Sequence, residues 1–151
     1  MREILFRGKS KNDGKWYQGD LVTVAHKRFI DDDVVKERVI PETVGQYTDL
    51  KDKNGVKIFE GDILKVKTMW HAEFPENENG GFCTPIKKET YWSVEYKNFA
   101  GEMGFMVYGI DRRWHTKLTW NKLYNCEAIV VGNIYDNHEL LRTPQNDEVR
   151  D

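Results

Sequence analysis

The sequence predicts a mostly β protein, built as small barrels or a sandwich, with little helix. Three observations carry that reading. Short stretches alternate apolar and polar residues, as in "LVTV" and "YWSVEYKN", the period of a half-buried strand. Tight-turn pairs, Asp13-Gly14 and Asn54-Gly55, separate such stretches. One phrase is also written twice: "KWYQGDLVTV" from Lys15 and "KIFEGDILKV" from Lys57 align without a gap. Many short strands and few helical periods fit packed sheets better than alternating helix and strand.

In chain order, "EILFRG" reads as a strand ending at Gly8, and "KSKNDG" as the turn that follows. The first copy of the phrase gives a strand over Lys15–Tyr17, a break at Gly19-Asp20, and a new strand from Leu21 to about His26. The second copy repeats this layout, with Gly61-Asp62 at the break. Glycine supplies backbone angles that other residues resist. The neighbouring aspartate accepts backbone N–H bonds and holds the corner. Both pairs are therefore expected to be corners of the kind that bend a small sheet toward closure.

Between the copies, Asp31, Asp32 and Asp33 suit a turn, and "RVIPETVGQYT" reads as extended, with Pro41 opposing a central helix. Residues 71–90 read as a long loop, because "FPENENGGFCTP" has prolines at both ends and no periodicity. "YWSVEYKN" and "FMVYGI" make a hairpin around "FAGEMG", with Trp92, Val94 and Tyr96 on one face. "RRWHTKLTWNKLYN" admits a short helix between Thr116 and Tyr124. "CEAIVVGNIYDN" is the strongest late strand, interrupted at Gly132. "NHELL" reads as one helical turn capped by Asn137. Residues 142–151 read as a flexible polar tail. The length suits a single compact domain over residues 1–151, with room for two closely packed β subdomains.

Composition narrows the function classes. The formal net charge is −2, so bulk charge selects no partner. Charge is uneven along the chain: residues 1–30 and 86–122 are net basic, and residues 31–62 and those from 123 onward are net acidic. No apolar run approaches the roughly 20 residues of a membrane span. "MREILFRG" lacks the pattern of a signal peptide. A cytoplasmic location and no membrane partner follow as expectations. Cys83 and Cys126 make no disulfide framework and are expected as free thiols.

Catalytic and metal constellations are weak. Glu60 and Asp62 are two carboxylates one residue apart, but glycine lies between them and Gln18 replaces Glu60 in the first copy. A turn role for the aspartate suffices. Asp31 to Asp33 are consecutive, so on an extended chain their side chains point to opposite sides and do not converge on a cation. His26, His71, His115 and His138 with the two cysteines show no paired zinc-ligand spacing. No cofactor or metal is expected.

The strongest cluster interleaves aromatics and cations: Trp92, Tyr96, Lys97, Tyr108, Arg112, Arg113, Trp114, Lys117 and Trp120. Exposed aromatics that stack bases, flanked by phosphate-binding cations, are how small barrels hold single-stranded nucleic acid. Lys97, Arg112, Arg113, Trp114, Lys117 and Trp120 are the candidate binding residues. The competing reading makes Trp92 and Tyr96 core and the cations ordinary surface.

"IPETVGQYTDLKDKNGVKIFEGDILKV" (Ile40–Val66) and "VVGNIYDNHELL" (Val130–Leu141) resemble the YopX family of phage and prophage proteins, as does the opening "MREILFRG". The resemblance spans nearly the whole chain and is thinnest from His71 to Asn125. It implies a compact, mostly β protein with an SH3-like barrel portion, in a phage or bacterial cytoplasmic setting. It implies no activity and carries over no catalytic residue.

Three function classes follow. The first is a non-catalytic binding or regulatory module that acts by macromolecular contact, with nucleic acid as a candidate ligand. The second is a structural or assembly protein that forms homo-oligomers or binds another protein. An enzyme ranks last, for want of a convergent set of reactive groups.

Overall fold

The computed structural model describes residues 2–70, 86–99, 101–110, 112 and 115–142. The chain is mostly β and forms two antiparallel sheets. The first comprises β1 (Phe6–Lys9), β2 (Trp16–Val24), β3 (Lys27–Asp31), β4 (Lys36–Arg38), β5 (Gly45–Lys51) and β6 (Lys57–Phe59), in the order β4-β3-β2-β1-β5-β6. The second comprises β7 (Asp62–Trp70), β8 (Ile86–Phe99), β9 (Glu102–Gly109), β10 (His115–Lys117) and β11 (Ile129–Asn133), in the order β10-β9-β8-β7-β11. One α-helix, α1 (Trp120–Asn125), and two 3-10 turns, Pro41–Thr43 and His138–Leu141, complete the described elements.

Both strand orders are open, so no closed barrel forms among the described residues. The first sheet nevertheless curls back on itself. An antiparallel bridge joins Ser10 to Val39, with Lys11 N–H donating to Arg38 O and Ile40 N–H to Lys9 O, both at 2.9 Å. Gly8 makes the curl feasible: a Cβ there would lie 2.9 Å from the methyl-bearing carbon of Val39. Val39 itself is 1% exposed.

The repeated phrase folds in two different ways. At the first copy the expected break at Gly19-Asp20 is absent: β2 runs unbroken through it. The strand changes partner there instead. Trp16–Gly19 pair with β1, and Asp20–Val24 pair with β3. Gly19 is needed for close approach, since a Cβ would sit 2.7 Å from the carbonyl carbon of Asp31. At the second copy Gly61 does turn a corner, at φ +88. The expected corner therefore holds at one copy only, because the neighbouring backbone that crowds Gly19 has no counterpart at Gly61.

The expected loop over 71–90 is also corrected. β8 begins at Ile86, paired with Trp70, so Ile86–Thr90 are strand; residues 71–85 lie outside those described. Within this extension of the β7–β8 ladder Lys67 lies opposite Glu89, and Lys65 Nζ is 3.3 Å from Glu89 Oε2. Lys88 and Glu89 are both exposed, so these neighbours show none of the buried alternation that marks a strand in sequence. The β8–β9 hairpin forms as expected, with Gly101 at φ +86 in its turn. Trp92 and Val94 are core; Tyr96 is 44% exposed. Ser93, on the opposite face, is buried too. Residues 143–151 of the expected tail lie outside those described.

The main core gathers Ile58, Leu64, Val66, Trp92, Val94, Val107, Leu118, Leu123 and Ala128. Ile58 comes from the first sheet and the others from the second sheet and its connections, so one core serves both.

The joint between the sheets is polar. Asp62 is 1% exposed. Its Oδ2 accepts Phe59 N–H at 2.8 Å, and its Oδ1 lies 2.6 Å from Arg7 Nη2. Burial pushes the Asp62 carboxyl above its ordinary range, and Arg7 and the Phe59 N–H pull it back. The Arg7 guanidinium lies over the Trp16 and Phe59 rings at 4.9 and 5.0 Å. Around this corner, Gly61 N–H donates to Val94 O and Ile134 N–H to Gly61 O, both at 2.8 Å.

The C-terminal segment clasps the first sheet. Asp136 accepts Lys9 Nζ at 2.6 Å, Trp16 Nε1 at 2.7 Å and Asn133 Nδ2 at 3.2 Å. Tyr135 Oη donates to Glu42 O at 2.7 Å. The interruption expected at Gly132 is a register shift between Val130 and Gly132. Asn137 precedes the final 3-10 turn, but its side chain does not cap it. It reaches back to accept Asn133 N–H at 3.2 Å and fills the space a Cβ on Gly132 would take.

Three edge strands have neighbours on their outer side. Lys11 N–H bonds Arg38 O at the end of β4, Lys122 Nζ bonds Lys117 O on β10 at 2.9 Å, and Asp52 Oδ2 accepts Val130 N–H on β11 at 2.8 Å.

Asp62→Ala strands a buried guanidinium and should cost about 3–5 kcal/mol in urea unfolding; a loss below about 1 kcal/mol would contradict the role assigned to the pair. The Asp136 clasp is pH-dependent. Lys9 and Trp16 hold its carboxyl down to about 2, from 3.8. A depressed folded pKa gives stability that is complete above the unfolded value and is lost as pH falls through the folded one. The difference in urea midpoint between wild type and Asp136→Asn should therefore be constant above about pH 4 and shrink toward pH 2.

Candidate functional site

The sequence Leu118-Thr119-Trp120 places a helix start directly after β10. Thr119 is extended, and its side chain accepts Lys122 N–H at 3.3 Å, an N-cap. Leu118 and Leu123 face the core. That fixes the rotation of α1 and leaves Trp120 and Tyr124, one helical turn apart, on the outer side. They are 61% and 70% exposed. Their rings stack with centroids 5.2 Å apart and planes 12° from parallel. Lys122 turns the other way and bonds Thr116 Oγ1 and Lys117 O.

Beside this aromatic ledge lies an open groove of about 600 Å³, lined by Lys51, Asp52, Lys53, Trp120, Leu123, Tyr124, Asn125 and Glu127. Asp52 is 7% exposed. It accepts the N–H groups of Asn54, Val56 and Val130, so its carboxylate holds the turn at Asn54-Gly55 and ties it to β11. Lys53 N–H bonds Ala128 O at 3.0 Å, which seats this turn against the end of α1. Glu127 follows the helix at φ +49. Its carboxylate lies 3.2 Å from Lys53 Nζ and 3.7 Å from Lys67 Nζ.

The candidate binding residues read from sequence fall into separate groups. Trp120 is the ledge itself. Lys117, exposed on β10, leads into it. Lys97 is exposed on β8, opposite Gly104. Arg112, at φ +58, makes a two-pronged contact with Glu95 at 3.2 and 2.9 Å and lies 4.6 Å over the Tyr108 ring. The Glu95 carboxylate raises the Arg112 pKa further. Arg112 is thus engaged within the β8–β9 hairpin. Arg113 and Trp114 lie outside the described residues.

Tyr124, Lys51, Lys53, Lys67 and Glu127 are site residues that sequence reasoning missed. Tyr124 had a signal, an aromatic four residues after Trp120 inside a helical candidate. The lysines had none, because the Asn54-Gly55 turn reaches the helix only through long-range pairing.

The weaker constellations resolve as turns. Asp31 Oδ1 accepts Asp33 N–H, and Asp32 Oδ1 accepts those of Val34 and Val35. Asp62 is turned inward to Arg7, while Glu60 is half-buried, its carboxyl raised by burial. Among the described residues, no three His, Cys, Asp or Glu side chains gather as metal ligands would. Cys126 is a free, half-buried thiol, its pKa pushed up by burial; Cys83 and His71 lie outside the described residues. No helix among the described residues is long and apolar enough to cross a membrane.

Fold and site together define a two-sheet antiparallel β protein with an exposed aromatic ledge beside a lysine-rimmed groove. The chain belongs to the YopX family: the family model described as YopX protein matches residues 5–142. It is also similar to a protein of known crystal structure, protein EF1440 from Enterococcus faecalis, at 22% identity over 94% of this chain and 100% of that one, with a TM-score of 0.48. No curated protein matches the chain.

Loss of the helix cap should be visible in solution. Thr119→Ala should lower stability by about 1 kcal/mol, read as a shift in thermal midpoint; an unchanged midpoint would mean that packing alone holds α1.

Proposed function

We propose that this protein is a non-catalytic, phage- or prophage-encoded binding module that works in the bacterial cytoplasm by macromolecular contact. Single-stranded nucleic acid is the ligand class its ledge fits best. The observation that carries the reading is the Trp120–Tyr124 stack, near-parallel and more than half exposed, beside Lys51 and Lys53. Every base has a flat face that can extend such a stack, and each stacked base is worth about 1–3 kcal/mol. Lysines on the rim supply the partners that phosphates need. A core residue would not be left so open: burying a Trp and a Tyr removes a large apolar surface from water. Arg112 enters this reading as a hairpin brace and not as a phosphate contact, since Glu95 already holds it. The curled first sheet, with its Ser10–Val39 bridge, supports an SH3-like description of the N-terminal half.

A second reading makes the chain an assembly protein that forms homo-oligomers. Tyr96 and Met103, 44% and 57% exposed on the β8–β9 hairpin, favour it. Light scattering at high protein concentration separates the two: a monomer removes the second reading and leaves the first.

For the first reading, an oligothymidylate or oligouridylate should bind at low salt and quench tryptophan fluorescence. The double variant Trp120→Ala/Tyr124→Ala should keep the wild-type circular dichroism spectrum and bind about tenfold or more weakly, followed by anisotropy of a labelled strand. Equal affinity for wild type and variant would refute the ledge as the contact surface.

A further inference from the structure

The residue after a helix often adopts a left-handed conformation, and glycine is favoured there because a Cβ opposes it. Glu127 holds that position at φ +49. Its backbone completes the helix end, with N–H donating to Tyr124 O at 3.2 Å. The backbone alone would be better served by glycine, so the glutamate is explained by its side chain. That side chain does one conspicuous thing: it sits between two lysines from separate segments, Lys53 of the turn after β5 and Lys67 of β7. It also lines the groove beside Trp120 and Tyr124.

We infer that the Glu127 carboxylate stands in for a phosphate of the ligand, an internal anion that occupies the Lys53–Lys67 position until a single-stranded nucleic acid displaces it. This deepens the reading given under Proposed function and rests on it. The chemistry is consistent. A carboxylate and a phosphodiester are both oxygen anions that accept from ammonium groups. The Lys53 and Glu127 side chains are 55% and 36% exposed, so the pair is weakly bound and exchangeable. The two lysines carry two positive charges against one negative. A phosphate that takes the place of Glu127 therefore keeps both partners, and the freed carboxylate swings into water. The consequence is restraint: Glu127 competes with every anion, and only a ligand that also stacks on Trp120 and Tyr124 gains enough to displace it.

The test uses the full chain, labelled oligothymidylate and oligouridylate, and inorganic phosphate as a competitor. Glu127→Gln and Glu127→Gly should each bind the oligonucleotides about threefold to tenfold more tightly than wild type. Glu127→Gly controls for folding, because it relieves the left-handed backbone and should unfold no more easily than wild type. Adding Lys53→Gln and Lys67→Gln to Glu127→Gln should cancel the gain. Trp120→Ala/Tyr124→Ala should weaken binding in either background. Inorganic phosphate should compete weakly, since it cannot stack. If Glu127→Gln and Glu127→Gly bind no more tightly than wild type while the aromatic double variant still loses affinity, the stand-in role is wrong and the ledge survives. If neither wild type nor Glu127→Gln binds either oligonucleotide, both readings fall. If inorganic phosphate alone competes as well as an oligonucleotide, the position is a simple anion site and the inference is overturned.

Discussion

The contact between Arg7 and Asp62 is the constraint on which the rest of the architecture depends. A buried carboxylate is costly unless it is paired and hydrogen-bonded. Here the pairing partner arrives from the first strand, and the hydrogen bond from the strand that immediately precedes the corner. The pair can form only when β1, β6 and the start of β7 are all in place. Trp16 and Phe59 cover the guanidinium on its apolar faces, and Tyr135 packs near Gly61 from the C-terminal side. Segments far apart in sequence thus meet around one buried ion pair.

Much of this was legible in the sequence, and what was not has physical reasons. The strands with alternating cores and the hairpin around Gly101 announce themselves by period and turn chemistry. The corner at Gly61-Asp62 is also readable, because both residue types are what a corner requires. Gly19-Asp20 has the same letters and a different fate. There the glycine answers to the backbone of Asp31 crossing over it, a long-range fact that local chemistry cannot express. The start of β8 escaped for the opposite reason: a ladder with exposed members such as Lys88 and Glu89, braced across the strands by Lys65 with Glu89, needs no buried alternation.

The candidate site was half legible. Interleaved aromatics and cations drew attention to a stretch that includes Trp120, which the fold leaves exposed and stacked on Tyr124. What the sequence could not separate was which cations are already spent. Arg112 is held at two points by Glu95, whereas Lys53 of the Asp52 turn and Lys67 of β7 share the single carboxylate of Glu127. The architecture explains why they converge. Asp52 uses three backbone N–H groups to fix the turn and to dock it on β11, and the core face of α1 is locked by Leu118 and Leu123. A rigid turn and a rigid helix then face each other across open space.

The occupied outer sides of β4, β10 and β11 bear on how this molecule behaves in a crowd. An unpaired strand margin is an invitation to templated growth, the route by which sheets from many chains zip into fibrils. Here a backbone amide, a lysine ammonium and an aspartate oxygen each take up a main-chain group that a foreign strand would need. A strand approaching those margins finds these main-chain groups already taken and meets side chains there, which can discriminate where a bare ladder cannot.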